Sequence, residues 1–187
     1  GRGSCRRFTL GSQLYEGEGV SLLDAHEHSP GSPAGYVLKV IWLGPAGSGV
    51  RVAALREARL MCQSGGGGRC VVPARAAWTT RERVGPGSDV EAPRGTRAPP
   101  DDPGASCLLI LMGKYCGDLM GAVLEGGGAS EAQRWRWAED VTLGVATLHA
   151  RGVIHRDLNP WNVLVTPPPP RAPTTRAAVC DLGTGLE

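Results

Sequence analysis

The segment VIHRDLNPWNVLV, residues 153–165, contains the residue types most suited to chemistry. It places His155, Arg156, Asp157 and two Asn residues between two apolar runs. A buried strand rarely carries so many polar groups, and an exposed loop rarely has Val, Ile and Leu on both sides. We therefore expect the apolar flanks to hold a short polar loop at the edge of a core. Loops held in this way often carry catalytic and binding residues.

Lysine is rare in this chain, which makes its positions informative. Of the 20 basic residues only Lys39 and Lys114 are lysines. Lys39 interrupts the apolar run YVLKVIWL, where a lone Lys usually extends its ammonium group to solvent. Glu57, in the next segment, could equally be a solvated helix charge paired with Arg56 or Arg59. The scarcity of Lys nevertheless favours a functional role for Lys39.

Apolar periodicity and turn residues predict an α+β chain in two parts. The predicted strands lie within 8–25, 36–43, 70–78 and 107–112. A first helix is predicted over 51–63, and GGGG ends it. A second helix begins after Ser130, which forms a capping box with Gln133. Its apolar stripe and its left-handed end are predicted at Trp137, Val141, Val145, Leu148 and Gly152.

The composition excludes several classes of protein. The net charge of +2 is too small to indicate a nucleic-acid partner. The six cysteines form no C-x-x-C pair and no metal-ligand spacing with the four His, so we expect free thiols in a reducing compartment. The longest apolar run, CLLILM, is too short to span a bilayer. The expected location is intracellular and cytoplasmic, with an N-terminal lipid anchor as an open alternative.

Five segments resemble, in the correct order, the motifs of eukaryotic protein kinase domains. HRDLNPWN resembles the catalytic-loop pattern H-R-D-L-x-x-x-N, and DLG at 181–183 stands where that family has D-F-G. Upstream, YVLKV resembles the V-A-I-K strand, LREARLM the helix that supplies a paired Glu, and LLILMGKYCGDL the last N-lobe strand and hinge. Pro160 favours the serine/threonine type, and EGEGVSLLDA and CDLGTG are similar to segments of the Numb-associated kinases.

The resemblance implies a two-lobe kinase fold of the α+β class. Residues 1–113 would form the N-lobe, an antiparallel sheet plus one helix, with a disordered insertion at about 81–106. Residues 114–187 would form the hinge and the first part of a mainly helical, incomplete C-lobe. No activation segment or A-P-E follows D-L-G. We therefore expect a truncated fragment of a longer kinase, with low stability on its own.

The resemblance also implies the activity, which is transfer of the γ-phosphate of ATP to Ser or Thr hydroxyls of protein substrates. Asp157 would accept the proton of the substrate hydroxyl. Asn162 and Asp181 would hold Mg²⁺, which prefers hard oxygen ligands. Lys39 would contact the α- and β-phosphates, with Glu57 as its ion-pair partner.

The nucleotide would be held by a glycine loop, a hinge and an apolar residue beneath the adenine ring. Gly17 and Gly19 would form the loop, with Ser21 where the family has a third glycine. Leu111 would be the gatekeeper, and the ring would contact the backbone of Met112 and Gly113 and the side chain of Leu164. Outside this resemblance, the same residues are ordinary core or linker positions.

One departure leaves two readings of function open. Asn159 stands two residues after Asp157, where serine/threonine kinases usually carry a Lys that contacts the γ-phosphate. An amide donates hydrogen bonds but does not neutralise developing charge, so slower transfer is expected. The alternative to an active kinase is a pseudokinase or truncated fragment that binds a nucleotide or a partner without catalysis. The protein substrate and the oligomeric state stay open.

Overall fold

The computed structural model describes residues 5–29, 35–64, 70–124, 129–166 and 174–182. They belong to two compact units, one drawn from 1–65 and 73–114 and the other from 66–72 and 115–187. The first unit is an antiparallel sheet with one helix, and the second combines helices with a small sheet. The α+β class predicted from the sequence is confirmed.

The first unit is built on a six-stranded antiparallel sheet in the order β4-β6-β3-β2-β1-β5. The strands are β1 (Arg6–Gly17), β2 (Val20–Glu27), β3 (Tyr36–Trp42), β4 (Ala74–Thr80), β5 (Asp89–Ala92) and β6 (Cys107–Gly113). The predicted apolar runs at 36–43 and 107–112 become the paired inner strands β3 and β6. Pro73 directly precedes edge strand β4, where its missing N–H interrupts no ladder.

The core of this unit lies on one face of the sheet. Side chains two residues apart along the inner strands, such as Leu38 and Val40 or Leu109 and Leu111, are fully buried there with Phe8. This alternation is expected because successive strand residues point to opposite faces. The other face carries Lys39 and receives the helix.

Helix α1 (Gly49–Ser64) packs against β4 and β6, and confirms the helix predicted over 51–63. Its large buried apolar side chains, Leu60 and Met61, lie in the C-terminal half. The N-terminal half buries only the small side chain of Ala54, together with Arg51. Apolar packing therefore holds one end of α1 more strongly than the other.

The segment 81–106, for which the composition predicts a disordered insertion, contains one strand and several contacts to the rest of the first unit. It contains β5, which pairs in antiparallel register with β1, and Gly87 provides a left-handed turn (φ 81°) before it. Ala92 and Ala105 are buried, and Arg51 binds several groups in the last part of the segment. The composition does not indicate these contacts, because pairing with the long strand β1 and with a buried cation is non-local.

The second unit contains two helices, α2 (Leu119–Leu124) and α3 (Glu131–His149), and a three-stranded sheet in the order β7-β8-β9. The strands are β7 (Gly117–Asp118), β8 (Val163–Val165) and β9 (Ala177–Val179), and a short 3-10 helix spans Pro160–Asn162. Helix α3 packs against β9. The segment TPPPPRAPTTR at 166–176, whose composition predicts a surface loop, lies mostly outside the described residues.

The ends of α3 were predicted well, whereas its buried seam was predicted only in part. Ser130 accepts the Gln133 N–H (3.2 Å), and Gly152 is left-handed (φ 75°). The Gln133 side chain instead donates to the Thr175 carbonyl (2.8 Å). Trp137 and Leu148 are buried as expected.

Between those two residues the buried positions of α3 are Asp140 and Gly144, whereas Val141 and Val145 are half-buried. Asp140 is buried because Arg176 and the Ala177 N–H bind its carboxylate. Gly144 is buried because the Cys70 backbone lies against it. Apolarity alone does not identify either position.

No helix within the described ranges is both long and apolar enough to cross a bilayer. Cys62, Cys70 and Cys107 are buried free thiols, and burial raises the pKa of each. A raised thiol pKa leaves little reactive thiolate near neutral pH. These three side chains therefore serve as small apolar core residues.

Gly144→Ala should destabilise the second unit. An added Cβ would meet the Cys70 carbonyl oxygen and lie 2.9 Å from Val179 Cγ2. Overpacking of this kind costs about 1–3 kcal/mol, which exceeds the gain of about 1 kcal/mol from helix propensity. Urea unfolding should show a lower free energy of unfolding. Gly49→Ala, which adds a Cβ to open space in the first turn of α1, is the matched control, and equal effects of the two substitutions would contradict the prediction.

Candidate functional site

The first unit holds Lys39 and Glu57 in direct contact. Lys39 is on inner strand β3, opposite Ile110 of β6 and Leu22 of β2. Its Nζ donates to Glu57 Oε1 at 2.6 Å, and the two side chains are 12% and 5% exposed. The ion pair predicted from the sequence is therefore present, and its low exposure excludes the solvated helix charge considered for Glu57.

Gly17 and Gly19 lie at the tip of the β1–β2 hairpin. Gly17 pairs with Val20, so only Glu18 and Gly19 connect the strands, and Gly19 is left-handed (φ 75°). A Cβ on Gly17 would lie 2.8 Å from ring atoms of Tyr15. Both glycines thus have local structural reasons in a tight hairpin.

Leu111, Met112 and Gly113 form the end of β6. Leu111 and Met112 are buried, Leu111 completely, between β3 and β4. Beyond the strand, the Lys114 N–H donates to the Gly35 carbonyl (2.9 Å), and Lys114 Nζ binds both oxygens of Asp24 (2.9 Å each). Lys114 therefore braces the segment after β6 against β2, which accounts for the second of the two lysines.

In the second unit, two amide side chains orient the carboxylate of Asp157. Asn162 Nδ2 donates to Asp157 Oδ2 (2.9 Å), and Asn159 Nδ2 donates to Asp157 Oδ1 (3.2 Å). Both amides also bind the Asp157 backbone carbonyl. Asn159 Oδ1 accepts the N–H groups of Trp161 and Asn162 and so caps the 3-10 helix. Asn159 is thus a structural part of the loop. The resemblance to kinases, which usually carry a Lys at this position, did not indicate that role.

His155 connects this loop to the segment that carries Asp181. Its buried ring accepts the Asp157 N–H at Nδ1 (3.3 Å), which places the ring proton on Nε2, and Nε2 lies 2.8 Å from the Cys180 carbonyl. The Cys180 N–H in turn donates to the Asn162 carbonyl (2.9 Å). The backbone of the Asp157 loop is therefore tied directly to the residue before Asp181.

Two non-glycine residues in the described part of the chain have positive φ, and both lie in this region. They are Arg156 (φ 65°) and Asp181 (φ 58°). Asp tolerates the left-handed conformation, whereas Arg adopts it at a cost of about 1–2 kcal/mol. Backbone strain of this kind clusters at sites where geometry serves function.

The donor set around Asn162 suits a magnesium ion. Because Asn162 Nδ2 binds Asp157, its oxygen is the atom able to ligate a metal, and Asp181 adds an exposed carboxylate. Hard oxygen donors of this type are those that Mg²⁺ prefers. Within the described residues no cluster of three His, Cys, Asp or Glu side chains has metal-binding geometry.

The remaining predicted residues are placed as follows. Leu164 is half-buried on β8, opposite Ala178 of β9 and Asp118 of β7. Leu182 is fully buried, and Gly183 of the D-L-G motif lies outside the described residues. The first unit contains Lys39, Glu57, the hairpin glycines and the end of β6, and the second contains Asp157, Asn162, Leu164 and Asp181.

No established family profile matches the chain. Curated proteins with partial similarity to it include the following three. They are the calcium/calmodulin-dependent protein kinase kinase cmkC of Emericella nidulans (38% identity over 87 residues, 46% of this chain), the serine/threonine-protein kinase kin-29 of Caenorhabditis elegans (33% over 60 residues, 31%) and the cyclin-dependent kinase F-1 of Oryza sativa subsp. japonica (54% over 35 residues, 19%). The matched stretches span 16%, 7% and 7% of these proteins.

These similarities support a protein kinase domain. All three relatives are protein kinases by name, and the α+β unit with its antiparallel sheet is compatible with a kinase N-lobe. The matches are short and partial. They therefore support similarity to protein kinases at the level of the family, and do not indicate a subfamily.

Lys39→Met should lower the free energy of unfolding by about 3–5 kcal/mol, because it leaves the buried Glu57 carboxylate without the Lys39 charge. The double variant Lys39→Met/Glu57→Leu should recover most of that loss, because an apolar pair of similar volume often replaces a buried ion pair at little cost. Urea unfolding of both variants measures the difference. Losses that simply add would show that the two side chains do not interact in solution.

Proposed function

We propose that this chain carries the nucleotide-binding and catalytic residues of an ATP-dependent protein kinase that phosphorylates Ser or Thr hydroxyls. The observation that supports this most strongly is the orientation of the Asp157 carboxylate by Asn162 and Asn159. A carboxylate fixed at both oxygens is suited to accept a proton from a hydroxyl in a defined direction. The partial similarity to three protein kinases supports the same reaction class.

In this proposal the residues of the second unit position the acceptor and the phosphates. Asp157 orients the substrate hydroxyl and accepts its proton, and His155 holds the loop backbone in the required shape. Asn162 and Asp181 hold Mg²⁺, which when bound neutralises charge on the phosphates. Leu164 supplies an apolar surface for the adenine ring.

In the first unit, the ammonium group of Lys39 binds the α- and β-phosphates, and Glu57 keeps it in place. A buried ion pair contributes little net stability, so its retention is better explained by a role in binding. Gly17 and Gly19 allow the hairpin backbone to approach the phosphates. Leu111, Met112 and Gly113 would border the adenine, in an N-lobe spanning 1–113 with the start of the C-lobe at 114–187.

A pseudokinase is the second candidate, and one observation favours it. Asn159 is engaged with Asp157 and with the 3-10 helix, and it brings no positive charge to the γ-phosphate. A protein with this loop could bind nucleotide and transfer phosphate slowly or not at all. The placement of Lys39 against Glu57 and of Asn162 against Asp157 favours the active enzyme.

Asp157→Asn should abolish most of the phosphate transfer by the full-length protein. Loss of a general base lowers kcat by about 10²- to 10⁴-fold. The measurement is incorporation of labelled γ-phosphate from Mg-ATP into a degenerate Ser/Thr peptide library. Asp89→Asn, the same change at an exposed position of β5, is the matched control and should transfer at the wild-type rate.

Equal rates for the wild-type protein and Asp157→Asn would refute catalysis by this site. Calorimetry measures nucleotide binding by the wild-type protein and by Lys39→Met. Binding that is lost in Lys39→Met, with no transfer by the wild-type protein, would select the pseudokinase.

Asn159→Lys should raise kcat by at least about tenfold, because a cation would then stabilise charge that develops on the transferred phosphate. The same change removes the cap of the 3-10 helix and should cost about 1 kcal/mol of stability. Initial rates at saturating Mg-ATP, with Gln13→Lys on β1 as the charge control, measure the effect. An unchanged or lower kcat in the folded variant would contradict the proposed effect of Asn159.

A further inference from the structure

Arg51 is the most unusual side chain in the first unit. It lies in the first turn of α1 and is 1% exposed, whereas its apolar neighbours Val50 and Val52 are 58% and 49% exposed. A cation at a helix N-terminus opposes the helix dipole, and the first turn of α1 contains no acidic residue. Burial here is doubly unfavourable unless other groups compensate for it.

The compensation comes from two segments outside the helix. Arg51 Nε binds Asp101 Oδ1 (2.7 Å), and Nη1 binds the carbonyls of Gly44 (3.0 Å) and Ala105 (3.3 Å). Nη2 binds the Asp102 carbonyl. The planar guanidinium thus binds both the β3–α1 connection and the segment 101–105 at the first turn of α1. We call these contacts the Arg51 clamp.

The Arg51 clamp and the Lys39–Glu57 pair attach the same helix at two points. Arg51 and Glu57 are six residues apart, which corresponds to about 9 Å along the axis and about 120° around it. Two attachments at different heights and directions fix both the position and the rotation of a helix. Apolar packing contributes little to fixing the N-terminal half of α1, where Ala54 is the one buried residue beside Arg51.

We propose that Arg51 is a positioning residue for the Lys39–Glu57 pair, and that the segment 101–105 acts on this pair through the Arg51 clamp. The contacts of the clamp exist whatever the chain catalyses. Only the consequence for phosphate binding rests on the proposed function. Segment 101–105, at the end of the expected insertion, therefore helps to set the position of α1.

The two lysines allow a test that does not depend on activity. Acetic anhydride acetylates amines, and mass spectrometry separates Lys39 (12% exposed) from Lys114 (43% exposed), which serves as the internal reference. Arg51→Ala should raise the acetylation rate of Lys39 relative to Lys114 by about 2- to 30-fold. Arg51→Lys should give a smaller rise, because an ammonium group cannot span four acceptors. Arg97→Ala, the same change at an exposed position of the insertion, should leave the ratio unchanged.

A second readout separates positioning from general loosening. Cys107 lies in β6 and is fully buried, so its reaction with a thiol reagent should stay as slow as in the wild-type protein. An equal rise in Cys107 and Lys39 reactivity, or a Lys39 rate that Arg51→Ala leaves unchanged, would overturn the proposal. If Arg51→Ala does not fold, Asp101→Asn and Arg51→Lys provide the same comparison.

Activity provides the third readout. Arg51→Ala should lower kcat/KM for ATP in the wild-type background and cause no further loss in Lys39→Met, because both changes act on one pair. Additive losses would overturn the positioning role. If the wild-type protein transfers no phosphate, the proposed function fails, and the acetylation and thiol measurements still decide the role of the Arg51 clamp.

Discussion

A charge or polar group removed from water must be paired within the protein, and this constraint organises both units. Four polar or charged side chains are buried among the described residues, and they are Arg51, Glu57, Asp140 and His155. Each connects segments that are distant in the sequence. None of them is left with an unsatisfied buried side-chain atom in the described part of the chain. Because an unpaired buried charge costs several kcal/mol, each of these contacts restricts the fold strongly.

The same constraint links the fold to the site. In the first unit, Glu57 is held against Lys39 from one side of α1, and Arg51 holds the start of that helix from another. In the second unit, His155 ties the Asp157 loop to Cys180, while Asp140 ties α3 to Arg176 beside β9. Catalytic geometry requires side chains held within a fraction of an ångström. Directional polar contacts, together with packing, provide that precision.

The loop around Asp157 resembles the kinase catalytic-loop pattern but differs from it at Asn159. Asn159 departs from the kinase pattern, and the structure gives it two tasks, capping the 3-10 helix and binding Asp157. Both tasks use the amide, which accepts through its oxygen and donates through its nitrogen, whereas a Lys side chain only donates. The departure therefore changes how Asp157 is oriented as well as the charge that would face a phosphate.

The sequence by itself determined most strands of the first unit, the two longer helices and the identity of the candidate residues. Alternation and helical spacing depend on neighbouring residues, so β3, β6, α1 and the ends of α3 could be predicted, and motif order identified Lys39, Glu57, Asp157, Asn162 and Asp181. Only the tertiary structure decided that Arg51 is buried, that Asp140 and Gly144 lie in the seam of α3, and that β5 pairs with β1. Composition suggests an exposed or flexible position for each of these. Asp140 binds Arg176, 36 residues away, and Arg51 binds Asp101, 50 residues away. Such pairing has no signature in local sequence.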